Sequence, residues 1–82
     1  MNADEIEARI LGFLRQELRI QETVERDSAL VSSGLLDSSG LVRLATHLER
    51  TLDLTIPDHE ISVDNFDSIE TILEYVGRKL GS

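Results

Sequence analysis

The sequence has no cysteine, no tryptophan, a single proline, and only three aromatic side chains: Phe13, Phe66 and Tyr75. Without cysteine there is no disulfide, no thiolate nucleophile and no Cys-ligated metal. With so few aromatics, the core has to be built from Leu, Ile, Val and Ala. No apolar run approaches the about 20 residues that a membrane span needs. The first residues, MNADEIEARI, are acidic and lack the basic and apolar regions of a secretion signal, so the expected location is the cytoplasm. Bases are scarce too: eight Lys and Arg stand against sixteen Asp and Glu, a net charge of −8. Phosphate backbones demand clustered Lys and Arg, so nucleic acid is not an expected partner. An acidic surface favours basic patches on proteins instead.

Eighty-two residues allow one domain, 1–82, and leave no room for a cleft between domains. Helical spacing dominates the chain. Asn2 with Glu5 forms a capping pair, and Ile6, Ile10, Phe13, Leu14 and Leu18 recur at three- and four-residue steps, which predicts an amphipathic helix over about residues 3–19. Residues 21–36 lose that period and contain the turn signal Ser32-Ser33-Gly34, so a long loop is expected, pinned by Leu30, Leu35 and Leu36. Loops of that length in small domains are uncommon and often functional.

Asp37 is a candidate N-cap for a second helix with the buried stripe Leu41, Leu44, Ala45, Leu48 and Leu52. Ser39, Val42, Arg43, Thr46 and Arg50 then point largely outward, with His47 beside them. Leu54-Thr55-Ile56 reads as extended before Pro57. A short helical turn, capped by Ser62, is expected over residues 61–66. Asp67 with Glu70 reads as a further capping pair, opening a last helix that buries Ile69, Ile72, Leu73, Val76 and Leu80 and closes at Gly81. The predicted fold is all-α: a small bundle of three main helices plus one short helix, with a long loop between the first and second helices.

Most site chemistries fail on these residues. The only histidines are His47 and His59, both read as surface residues, and no nucleophile elbow accompanies the plentiful Ser and Asp. Asp58, His59 and Glu60 are adjacent rather than spaced for one metal shell. Residues 58–67 lack the alternating ligands, central Gly and terminal Glu of an EF-hand. There is no Gly-rich phosphate loop. What remains is the junction Gly34-Leu35-Leu36-Asp37-Ser38-Ser39-Gly40-Leu41. A serine there sits in a first helical turn, its hydroxyl exposed beside free N–H groups and the positive helix end. That place favours an attached phosphate. Asp-Ser at a helix start is also ordinary capping chemistry, the commoner use, and both readings stand on these residues alone.

The order of elements, together with Asp37-Ser38, Leu48-Glu49, Ile56-Pro57-Asp58 and Phe66-Asp67-Ser68-Ile69 in register, resembles the acyl and peptidyl carrier protein family from about Ile6 to Leu80. The resemblance implies a discrete, free-standing carrier, monomeric and not itself an enzyme. It implies 4′-phosphopantetheine carried covalently on Ser38, brought from coenzyme A by a phosphopantetheinyl transferase. An acyl- or aminoacyl-loading ligase or adenylation enzyme and downstream transferase or condensing enzymes are the other implied partners. The Gly-Leu-Leu-Asp-Ser run is more similar to carriers of specialised metabolites (polyketide or nonribosomal peptide) or of D-alanyl-type transfer than to the housekeeping fatty acid carrier. A carrier-like interaction domain that is never modified and a small helical regulator are the competing readings.

The family ordinarily has Leu or Met after the serine, where it helps dock modifying enzymes; here it is Ser39. Asp37 sets the register in favour of Ser38 over Ser39. Gly40 is a poor helix residue and suggests a loose start to the second helix. By resemblance, partner enzymes meet Asp37, Ser39, Val42, Arg43, Thr46, Glu49 and Arg50. Fatty acid carriers have acids along that face; here Glu49 alone is acidic. Arg43 and Arg50, two turns apart, are either solvated helix charges or the mark of a partner whose surface is not purely basic.

Overall fold

A computed structural model of the chain describes residues 2–81; Met1 and Ser82, the ends of the expected 1–82 domain, lie outside the described residues. Among the described residues there are four α-helices: α1, Ala3–Gln16; α2, Ser38–Leu52; α3, Val63–Phe66; and α4, Ile69–Gly81. A 3₁₀ turn, Asp58–Glu60, follows Pro57, an element that the helical spacing does not predict. The all-α expectation and the long first loop both hold among the described residues.

α1 begins as its first residues dictate. The Asn2 side chain accepts the Glu5 N–H at 2.9 Å, while the Glu5 carboxylate faces the Asn2 N–H, a reciprocal capping box. The helix stops three residues short of the predicted end. Arg19 adopts the left-handed conformation, φ 59°, and the Leu18 and Ile20 N–H groups turn back onto the Phe13 and Leu14 carbonyls. This reversal swings Ile20 into the core. An arginine holds a position for which glycine is the usual signal, which is why the spacing alone overran.

The core is aliphatic, as the composition requires. Ile10, Leu14, Leu30, Leu44, Leu48, Phe66, Ile69, Ile72 and Val76 are fully buried. α1 packs on both α2 and α4, and α3 packs on α4. Tyr75, rather than Leu80, completes the buried face of α4; Leu80 is 47% exposed, a correction to the predicted stripe. Leu52 and Leu73 are only partly buried. Gly81 lies inside the last turn of α4 instead of closing it from outside. Ser62 occupies the N-cap of α3, but its side chain makes no capping bond.

The capping pair expected at α4 is also corrected. Ser68 and Thr71 cap the helix: Ser68 Oγ accepts the Thr71 N–H and Thr71 Oγ1 accepts the Ser68 N–H, both at 3.1 Å. Asp67 points the other way, to the long loop. Its Oδ1 accepts the Val31 and Ser32 N–H groups at 2.8 and 2.9 Å, and its Oδ2 accepts the Ser32 hydroxyl at 2.8 Å. The Asp67 carbonyl accepts the Leu30 N–H. Arg26 ties the loop's other half to the bundle, its guanidinium on Asp4 and Glu7 and its carbonyl accepting the Glu70 N–H. Leu30 and Leu36 are buried beneath the loop, with Leu35 partly so. The loop is thus fixed at both halves, and it delivers the chain to the start of α2.

Candidate functional site

The start of α2 is built from its own sequence. Gly34, φ 89°, completes the turn in which its N–H reaches the Val31 carbonyl at 3.0 Å. The buried Leu36 side chain anchors the bend that leads into the helix. Asp37 is the N-cap in extended conformation; its Oδ1 accepts the Gly40 N–H at 2.7 Å, and its carbonyl accepts the Leu41 N–H. Ser38 is therefore the first residue of the helix. It is exposed, and no described residue hydrogen-bonds its hydroxyl. The N–H groups of Ser38 and Ser39 lie in the first turn, where helices have no internal partners, at the positive end of the helix dipole.

Gly40 is a contributor that residue propensity misses. It is buried, and a Cβ added to it would sit 3.3 Å from Asp37 Oδ1, 3.4 Å from Leu36 and 3.6 Å from Leu18. A glycine there makes room for the cap and for the loop's anchor, so the start of α2 is tight, not loose. The signal lies in position: a lone glycine three residues past the Asp37 N-cap, where the capping oxygen needs room.

The residues expected on the recognition face divide. Val42, Arg43, Thr46 and Arg50 come together along one wall of a groove of about 620 Å³ between α1 and α2. Arg9, Gly12, Phe13, Gln16 and Glu17 form the opposite wall, a contribution of α1 that the α2 spacing could not show. Arg43 stands 4.0 Å from Glu17, and the Thr46 hydroxyl donates to the Val42 carbonyl. The His47 ring is half-buried and stacks on Phe13, centroids 4.5 Å apart. Burial, and then Arg9 and Arg50, push its pKa down against Glu17. Asp37, Ser39 and Arg43 border a second, smaller hollow beside the cap. Glu49 is not part of either wall; its carboxylate accepts the Ile56 N–H at 2.9 Å and holds the turn after α2. His59 is exposed, as expected. No cluster of metal-ligating side chains exists among the described residues, and no helix there is long and apolar enough to cross a membrane.

An exposed serine on the first turn of a capped amphipathic helix, presented by an anchored loop, fits a phosphodiester-linked arm: the hydroxyl is free and the neighbouring N–H groups are unspent. A family profile described as a phosphopantetheine attachment site matches residues 8–76, and the chain belongs to that family. It is a carrier protein, and its intermediates are held on covalently attached 4′-phosphopantetheine. The chain is 34% identical over 80 residues to aminoacyl carrier protein 2 of Bradyrhizobium diazoefficiens, covering 94% of this chain and 89% of that one. It is 38% identical over 48 residues to the D-alanyl carrier protein of Streptococcus mutans, 58% of this chain and 61% of that one. Among solved structures it resembles the cognate carrier protein bound to a Bradyrhizobium japonicum glycine:[carrier protein] ligase with an analogue of glycyl adenylate: TM-score 0.72, 33% identity, 93% of this chain and 96% of that one. The glycylated carrier in complex with the same ligase is similar as well, with TM-score 0.68, 33% identity, and 88% and 95% of the two chains covered.

Proposed function

We propose that Ser38 is the attachment residue and that the cargo is an aminoacyl group. The exposed, unbonded hydroxyl of Ser38 on the first turn of α2 carries the first part of this reading. The relatives named as aminoacyl and D-alanyl carriers, and the glycylated neighbour, support the second. When bound, 4′-phosphopantetheine supplies the terminal thiol for a thioester, which a chain without cysteine cannot supply itself. The chain's own part is positional. Asp37 fixes the first turn, Gly40 leaves room for that cap, and the N–H groups of Ser38 and Ser39 would be the donors nearest an attached phosphodiester.

In this reading the protein is a single-domain, non-catalytic substrate of three cytoplasmic enzymes in turn. A phosphopantetheinyl transferase brings the arm from coenzyme A, and an aminoacyl-loading ligase charges it. A downstream transferase or condensing enzyme takes the aminoacyl group into a specialised-metabolite or D-alanyl-type product. Asp37, Ser39, Val42, Arg43, Thr46 and Arg50 form the face those enzymes meet, and Glu49 contributes indirectly by holding the end of α2.

Intact-protein mass spectrometry after incubation with coenzyme A and a transferase tests the attachment. Wild type and Ser39→Ala gain one phosphopantetheine, and Ser38→Ala gains none. A mass gain in Ser38→Ala places the arm elsewhere, and no gain in wild type leaves only an interaction domain.

A further inference from the structure

The charge of the α1/α2 groove opposes the charge of the molecule. Three of the chain's eight basic side chains, Arg9, Arg43 and Arg50, line it, with only Glu17 of the sixteen acids. The rest of the surface therefore carries nearly all the negative charge. Arg9 and Arg50 have no ion-pair partner among the described residues, and Arg43 reaches Glu17 only at 4.0 Å. Between the cations lie an exposed valine, Val42 at 52%, and the edge of the largely buried Phe13 ring stacked on His47, with Thr46 and Gln16 beside them. A solvated helix face does not need an exposed valine at its centre or cations converging from two helices.

We propose that this groove docks an acidic segment of a partner enzyme, its carboxylates on Arg9, Arg43 and Arg50 and an aliphatic side chain on Val42 and Phe13. The distribution of charge selects that occupant. Arg43 and Arg50 are two turns apart, about 10 Å along the helix axis, so they meet separate carboxylates along a segment rather than a single phosphate. Glu17 at one end repels a concentrated anion and gives the segment a direction. The proposal rests on the carrier reading only in making the partner an enzyme that works on the Ser38 arm; the groove itself needs no arm.

The test is a nuclear magnetic resonance titration of the isotope-labelled, unmodified chain. The probe is a synthetic helical peptide repeating Leu and Glu four residues apart. The amides of Gly12, Phe13, Val42 and Thr46 should shift together, and the His47 ring should titrate at higher pH once carboxylates enter. Arg9→Glu, Arg43→Glu and Arg50→Glu should each weaken binding roughly three- to tenfold, with a strong dependence on salt. Arg15→Glu, exposed and outside the groove, should leave it unchanged. Equal binding of the peptide with Gln in place of Glu overturns the proposal, as does absence of binding. Displacement by inorganic phosphate at matched concentration makes this an anion site instead. Self-association abolished by the same reversals gives the groove to a second copy. Transferase-dependent mass gain is followed separately, so a chain that binds the peptide but accepts no arm refutes the carrier reading alone.

Discussion

Asp37 and Gly40 are coupled through one oxygen. Asp37 Oδ1 caps the Gly40 N–H at 2.7 Å, and the same oxygen would lie 3.3 Å from a Cβ on residue 40. Gly40→Ala gains helix propensity of about 0.8–1 kcal/mol. It also crowds the cap, whose loss costs about 1 kcal/mol. The two effects nearly cancel, so the expected outcome is a melting temperature close to wild type with slower phosphopantetheine transfer to Ser38. Calorimetry paired with transfer rates checks it; a faster or unchanged rate would show that the cap absorbs the methyl without moving the serine. A poor helix former at such a position thus relieves crowding against the cap.

At the scale of elements, the long loop behaves as a fastened strap, and Asp67 is its buckle. The Ser32 backbone N–H first, then the Ser32 hydroxyl and the Val31 and Leu30 N–H groups, hold the Asp67 carboxyl below the usual carboxylate range against partial burial. A depressed folded pKa means that the carboxylate's contribution is fully present above the unfolded value, near 3.9, and is lost as pH falls through the lower folded value. Asp67→Asn should therefore melt below wild type at neutral pH, with the gap closing below about pH 4. Thermal melts across pH check this, and a gap that persists in acid would assign the effect to packing. Glu60, held down chiefly by the Tyr75 hydroxyl and then Lys79, titrates in the same direction and is unchanged in this variant.

The same scale shows what can be read before a structure exists. Both caps that use an Asx or Ser side chain immediately before an apolar stripe, Asn2 and Asp37, are legible, because the bond is local and the period follows at once. The exposed serine is legible for that reason. The end of α1 is not, because Arg19 takes the left-handed turn that only glycine would announce. Asp67 is misread for the opposite reason. Asp67 and Glu70 have capping spacing, but the carboxylate finds three donors 35 and 36 residues away, and Ser68 is free to cap in its place. The basic groove is half legible: Arg43 and Arg50 share a helix face, whereas Arg9 joins them only through the packing of α1 on α2.

For the whole molecule, stability rests on a core with little redundancy. Leu48 is fully buried on the stripe of α2. Leu48→Ala should cost about 2–5 kcal/mol, a large share of the reserve of so small a domain. Calorimetry should show one of the larger drops in melting temperature of any single change, and an unchanged melt would mean that the core closes over the gap. The aliphatic composition also concentrates the molecule's optical properties in one place. Tyr75 is the only tyrosine, and there is no tryptophan. Its ring lies 5.5 Å from Phe66, Lys79 sits over its face, and its hydroxyl donates to Glu60, all outside α2 and the loop that presents Ser38. A carboxylate against the phenol quenches ultraviolet emission. Tyrosine emission should therefore be weak in the folded protein and rise when α4 leaves the core, and steady-state fluorescence on thermal unfolding checks this.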